Sequence, residues 1–168
     1  MAGLSEARGD QPRDSFWTWR QIMYRFLDHL TPEDVETIAA LVQMEMLEAG
    51  YATNVEFHYL HHRPGGGEYD DLAEMAGRIV AAAGRTGIGL TLLPVHYQFG
   101  GLDRRALGPG QARFGTTPDR FAQLLEASEA LLAALPADAG IGVAPHSLRA
   151  VSPEGLRLCT DLRPDRPL

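Results

Sequence analysis

Between Thr31 and Gly50, apolar residues recur at Val35, Ile38, Ala39, Val42 and Met46, the spacing of one helical face. Thr31 supplies an N-cap, Pro32 suits the first helical position, Glu33 and Asp34 favour the positive end, and Gly50 suits a left-handed stop. The period then changes. From Ala52 to Tyr59, Val55, Phe57 and Tyr59 alternate with Asn54, Glu56 and His58, which predicts a strand. A loop over His61–Glu68 leads to a second helix with a buried face of Leu72, Met75, Ala76, Ile79, Val80 and Ala83, closed by Gly84 and Gly87. Ile88–Val95 reads as a buried strand. A Gly- and Arg-rich loop from Tyr97 to Thr116 precedes a helix capped by Thr117 and Pro118, striped by Phe121, Leu124, Leu125, Ser128, Leu132 and Leu135. Ile141–His146 is a third strand, and Ser152-Pro153-Glu154 starts another helix. At the other end, residues 1–14 are polar and broken by Gly and Pro, a loop, and the aromatic-rich Ser15–Leu27 turns helical near Trp19.

Strand–helix alternation of this kind predicts parallel strands with right-handed crossovers. Such sheets need both faces covered. A complete (β/α)8 barrel takes roughly 250 residues, and this chain has 168. The pattern therefore describes a small open sheet or an arc of something larger.

Composition narrows the chemistry. Apolar residues make up 45% and charged residues 22%, the make-up of a globular domain. One Cys excludes a disulfide scaffold and any Cys-based zinc module. The net charge of −7 argues against a nucleic-acid partner. No apolar run reaches the ~20 residues of a membrane span and no signal-peptide pattern opens the chain, so a soluble cytoplasmic protein is expected. All 15 basic residues are Arg, which removes Schiff-base lysines and lysine phosphate loops.

In parallel α/β folds, ligands gather at the carboxyl ends of strands. His58, Tyr59, His61 and His62 follow the first strand, His96 and Tyr97 the second, and His146, Ser147 and Arg149 the third. The loop spacing of His58, His61 and His62 does not orient imidazoles as a helical i, i+4 pair would, and no nearby carboxylate completes a ligand set. His96 is open between a ligand contact and a hydrogen-bonded loop histidine, and His29 reads as a surface residue. Arg20 and Arg149 are stronger candidates, because a guanidinium fork matches a carboxylate and a chain at −7 needs local cations to hold a small anion. Tyr59 either caps the sheet or donates to such a carboxylate, while Cys159, Trp17 and Trp19 read as packing. No nucleophile elbow, phosphate loop or dinucleotide fingerprint is present.

Five segments in register carry a resemblance: Ser15–Arg20 (SFWTWR), Met23–Arg25 (MYR), Glu56–His62 (EFHYLHH), Gly87–Val95 (GIGLTLLPV) and His146–Val151 (HSLRAV). Together they resemble the formimidoylglutamate deiminase family of the amidohydrolase superfamily, from Met1 to about Leu162. The resemblance implies a partial (β/α)8 TIM barrel of the metal-dependent hydrolase type, holding strands two to four across residues 15–162. It implies hydrolysis of N-formimidoyl-L-glutamate to N-formyl-L-glutamate and ammonia in histidine degradation. Zinc or another divalent metal would serve the full-length enzyme, which could also form a homodimer. Carried over position by position, Arg20, Tyr59, His146 and Arg149 match the residues that bind the dicarboxylate substrate. The metal ligands and the acid/base residue fall before Met1 or after Leu168 in that pattern, so none is assigned here. The expectation is an internal segment, with 163–168 as a truncated tail, which binds no metal, is inactive alone and is poorly stable at its open edges. Pro145 departs from the family pattern directly before His146. The alternatives are another amidohydrolase deaminase and a non-catalytic module that binds small acids.

Overall fold

The computed structural model describes residues 16–168, with side chains from Trp19 onward. The loop expected over 1–14 and the packing role expected of Trp17 lie outside the described residues.

Helix α1 (Phe16–Leu27) is followed by α2 (Pro32–Glu48), β1 (Thr53–His58), α3 (Glu74–Thr86), β2 (Gly89–His96), α4 (Pro118–Leu131), β3 (Gly140–Ile141), β4 (Ala144–Pro145) and α5 (Pro153–Leu162). α1 is already helical at Phe16, three residues before the expected start. The sheet is parallel throughout and ordered β1-β2-β3, with β4 continuing along β2. The cap chemistry read from the sequence is in place. Thr31 and Asp34 form a reciprocal capping box, Thr117 accepts from the Arg120 N–H, and Ser152 from that of Gly155. After α2, Gly50 adopts φ +92° and the N–H of Tyr51 donates to the Met46 carbonyl, a Schellman stop. α3 ends at a left-handed Gly87 whose N–H donates to the Ala83 carbonyl, whereas Gly84 lies inside the helix, where its bare Cα lets Leu135 approach.

The main core fills the space between sheet and helices. Leu90, Leu92 and Ile141 meet Ala76, Ile79, Val80 and Ala83 of α3, Phe121, Leu124 and Leu125 of α4, and Cys159 of α5. Cys159 is a packing residue whose thiol is pushed up to about 11 by burial.

β1 turns its polar side to the helices. Asn54 and Glu56 stand in register with Leu90 and Leu92, so they share the helix-covered face. Val55 and Phe57 stand beside Thr91 and Leu93 on the other face and are 62% and 42% exposed. The alternation is real, but its apolar side is the open one. The helix side instead carries polar groups, with the Asn54 amide donating to Glu56 at 3.1 Å and burial raising the Glu56 carboxyl. α2 also turns part of its apolar stripe outward. Val35, Ala39 and Met46 pack on the core, yet Val42 is exposed and Gln43 is buried, accepting a hydrogen bond from the Thr86 hydroxyl at 3.1 Å. The seam towards α3 is polar, with Arg78 pairing with Glu33, Glu36 and Glu74.

The third strand is two short pieces rather than one run. At the break, the Gly142 N–H still donates to the Leu92 carbonyl, while that of Val143 turns outward to the Pro167 carbonyl. A Cβ at Gly142 would collide with Leu93 and with the Pro167 carbonyl, so glycine is required there.

Candidate functional site

The carboxyl ends of the strands carry a second, smaller cluster, in which Tyr97, Phe114 and Ala150 are buried and Tyr24, Leu27, Tyr59, Leu60 and Leu107 pack around them. Tyr59 follows β1 directly, and His146 follows β4. Pro145 does not disturb that placement. Proline has no N–H to offer the ladder, and the pairing resumes one residue later, where the His146 N–H donates to the His96 carbonyl at 3.0 Å. Arg149 sits in the turn closed by the Ala150 N–H on the Ser147 carbonyl. Arg20 comes from α1 and lies over the Tyr24 ring at 4.9 Å.

These residues converge. The His146 ring lies 4.3 Å from Tyr97, 5.6 Å from Tyr59 and 6.0 Å from Phe57. Burial lowers its pKa to about 4, and Arg149 and then Arg20 push it the same way, so it is neutral at pH 7. Burial also raises the phenols of Tyr24 and Tyr59, keeping both protonated as donors. The Nε of Arg149 is buried without a hydrogen-bond partner. Two guanidiniums, two neutral phenols and a neutral imidazole make a donor-rich cationic cluster, chemistry suited to a small anion. All four residues singled out from the sequence, Arg20, Tyr59, His146 and Arg149, are brought together. Tyr97 was visible at its strand end, but its partner Gln111, 14 residues on, was not.

The other strand-end histidines do not join this cluster. His61 Nε2 donates to the Val95 carbonyl at 3.0 Å and His62 Nε2 to that of Gly115 at 2.7 Å. His96 is the hydrogen-bonded histidine of the two readings left open. Its Nδ1 meets the Thr116 hydroxyl at 2.7 Å and its ring stacks on Phe121 at 4.7 Å. His29 is exposed, as read. Among the described residues, no three His, Cys, Asp or Glu side chains converge to hold a metal ion. The metal that the resemblance implies has no fitting ligand set among them.

Burial lowers His58 and His96 to about 4 and His61 well below its ordinary value. In the unfolded chain these rings take up protons near pH 6.5, about the free imidazole value. Folded, His58 and His96 resist until about pH 4 and His61 also stays neutral well below its ordinary range, so in between the unfolded state binds more protons and stability falls as pH falls. The urea midpoint is predicted to stay level above pH 7 and to drop steadily from about pH 6.5 to about pH 4. A midpoint unchanged across that window would contradict the burial of these rings.

No family model matches the chain. It is 47% identical over 154 residues to the formimidoylglutamate deiminase of Pseudomonas aeruginosa, a match covering 92% of this chain and 33% of that protein. The fold superposes on the crystal structure of an amidohydrolase from Brucella melitensis with a TM-score of 0.94 and 51% identity, covering 99% of this chain and 37% of that one. The chain thus spans about a third of the length of the curated relative it matches. Among the described residues, no helix is long and apolar enough to cross a membrane. Nearly end to end, the chain is similar in sequence to one third of a formimidoylglutamate deiminase and in fold to part of an amidohydrolase, the resemblance that its motifs carry.

Proposed function

We propose that this chain forms the carboxylate-holding side of a metal-dependent hydrolase that converts N-formimidoyl-L-glutamate and water to N-formyl-L-glutamate and ammonia. The observation that carries the reading is the convergence of Arg20, Tyr59, His146 and Arg149 at the strand ends. In this reading Arg149 and Arg20 pair with the substrate's two carboxylates, and the Tyr59 hydroxyl and the neutral His146 ring add N–H and O–H donors without adding charge. The formimidoyl end then extends away from the guanidiniums, towards whatever activates water. Zinc or another divalent ion would supply that activation in the whole enzyme, by lowering the pKa of a bound water. The strands of this chain would be numbers two to four of a (β/α)8 barrel, working in the cytoplasm in histidine degradation.

Calorimetric titration of the chain with glutarate, butyrate and adenine tests the substrate class. Glutarate, the five-carbon diacid, is expected to bind at least about tenfold more tightly than butyrate, since one charge-assisted pairing is worth about 1.5–3 kcal/mol. Equal affinity for the two acids, or preference for adenine, would overturn the reading in favour of another amidohydrolase activity.

A further inference from the structure

Two contacts of His146 have no part in holding an anion, yet they fix its ring. The first is Tyr97, the nearest of its aromatic neighbours, with ring centroids 4.3 Å apart at 55°. Tyr97 is fully buried, and Phe114 packs on it at 5.7 Å. Its hydroxyl accepts a hydrogen bond from Gln111 Nε2 at 2.8 Å, and Gln111 Oε1 in turn accepts the Gly108 N–H at 3.0 Å. The Tyr97 ring is therefore tied at its far end to the loop that covers it. The second contact is Ser147, whose hydroxyl oxygen lies 3.0 Å from His146 Nδ1.

A neutral imidazole carries one N–H, and the nitrogen that bears it is decided by what the other nitrogen meets. Beside two guanidiniums, a neutral ring serves a carboxylate only by donating, because a lone pair turned to the anion would repel it. We infer that Tyr97 and Ser147 are the positioning residues of His146: Tyr97, anchored by Gln111, sets the ring plane, and the Ser147 hydroxyl donates to Nδ1 so that Nε2 carries the proton. The plane and the tautomer are properties of the free chain. Only the use of the Nε2–H towards an anion rests on the proposed function.

The test is the two-dimensional 1H–15N spectrum of the histidine rings of the labelled chain at pH 7, followed by titration with glutarate. His146 is expected to show the Nε2–H pattern. Ser147→Ala is expected to give a mixture of tautomers and to weaken glutarate about fivefold, the scale of one neutral hydrogen bond, with Ser147→Thr restoring both. Tyr97→Leu is expected to broaden the His146 ring signals, with Tyr97→Phe, which keeps the ring and loses the anchor, falling between it and the parent. An Nδ1–H pattern in the parent chain would overturn the inference. So would a Ser147→Ala chain with the parent's ring pattern, and Ser147 lies in a part-exposed turn, so that variant is expected to fold. If Ser147→Ala changes the ring pattern while glutarate binds neither chain, the positioning stands and the proposed function fails. If glutarate binds and the ring pattern does not change, the function stands and the positioning fails.

Discussion

Replacing Arg149 by Met is expected to weaken binding of N-formyl-L-glutamate by about 50-fold, the cost of one charge-assisted pair at about 1.5–3 kcal/mol. The size follows from position. Arg149 projects from the turn after β4 with its Nε buried and unpartnered, so that donor is desolvated before any anion arrives. Met keeps the stem and its packing and removes only the fork. The neighbouring His146 cannot compensate, since its ring is neutral at pH 7. Arg85, exposed on α3 and paired with Glu36, is the control, and Arg85→Met should leave the affinity unchanged. Calorimetry on the two variants decides the matter, and equal affinities would show that Arg149 does not hold a carboxylate.

Replacing Arg113 by Met is expected to cost about 3 kcal/mol of stability, because two carbonyls lose a charged donor and each buried acceptor left unpaired costs about 1–3 kcal/mol. Arg113 is only 2% exposed. Its Nε donates to the His62 carbonyl at 2.8 Å and its Nη1 to the carbonyl of Leu27, the last residue of α1. Its own carbonyl accepts the N–H groups of His61 and His62. One side chain thus joins α1, the loop after β1 and the loop after β2, the three segments that frame the candidate site. Urea unfolding should show a lower midpoint with an unchanged slope. A loss below about 0.5 kcal/mol, the range of ordinary surface substitutions, would mean that the three segments hold together without it.

The parts of this molecule that were legible in the sequence are those governed by neighbours along the chain. Thr31-Pro32, Thr117-Pro118 and Ser152-Pro153 each start a helix where their cap chemistry says, and Gly50 and Gly87 stop one. The candidate residues were legible for a different reason: Tyr59, His146 and Arg149 follow strand ends, where parallel topology gathers side chains, and Arg20 offers a guanidinium fork to a small anion. What escaped depends on partners far along the chain. Alternation in β1 showed that its two sides differ, but which side faces the helices is fixed by register with β2, and that register puts Asn54 and Glu56 on the helix-covered face beside Leu90 and Leu92. The fates of His61, His62 and His96 depend on the carbonyls of Val95 and Gly115 and the hydroxyl of Thr116, which no local pattern announces. Arg113 looked like one more arginine in a Gly- and Arg-rich loop, and only its contacts across 51 and 86 residues distinguish it.

The most direct test of the carboxylate-holding reading is the 1H–15N spectrum of the arginine Nε–H groups as the chain is titrated with glutarate at pH 7. The Arg149 and Arg20 signals are expected to move together and saturate, with Arg149 shifting downfield as its unpartnered Nε–H acquires an acceptor, while Arg78 and Arg113 stay in place. Saturable binding that leaves Arg149 unmoved, or no binding at all, would contradict it.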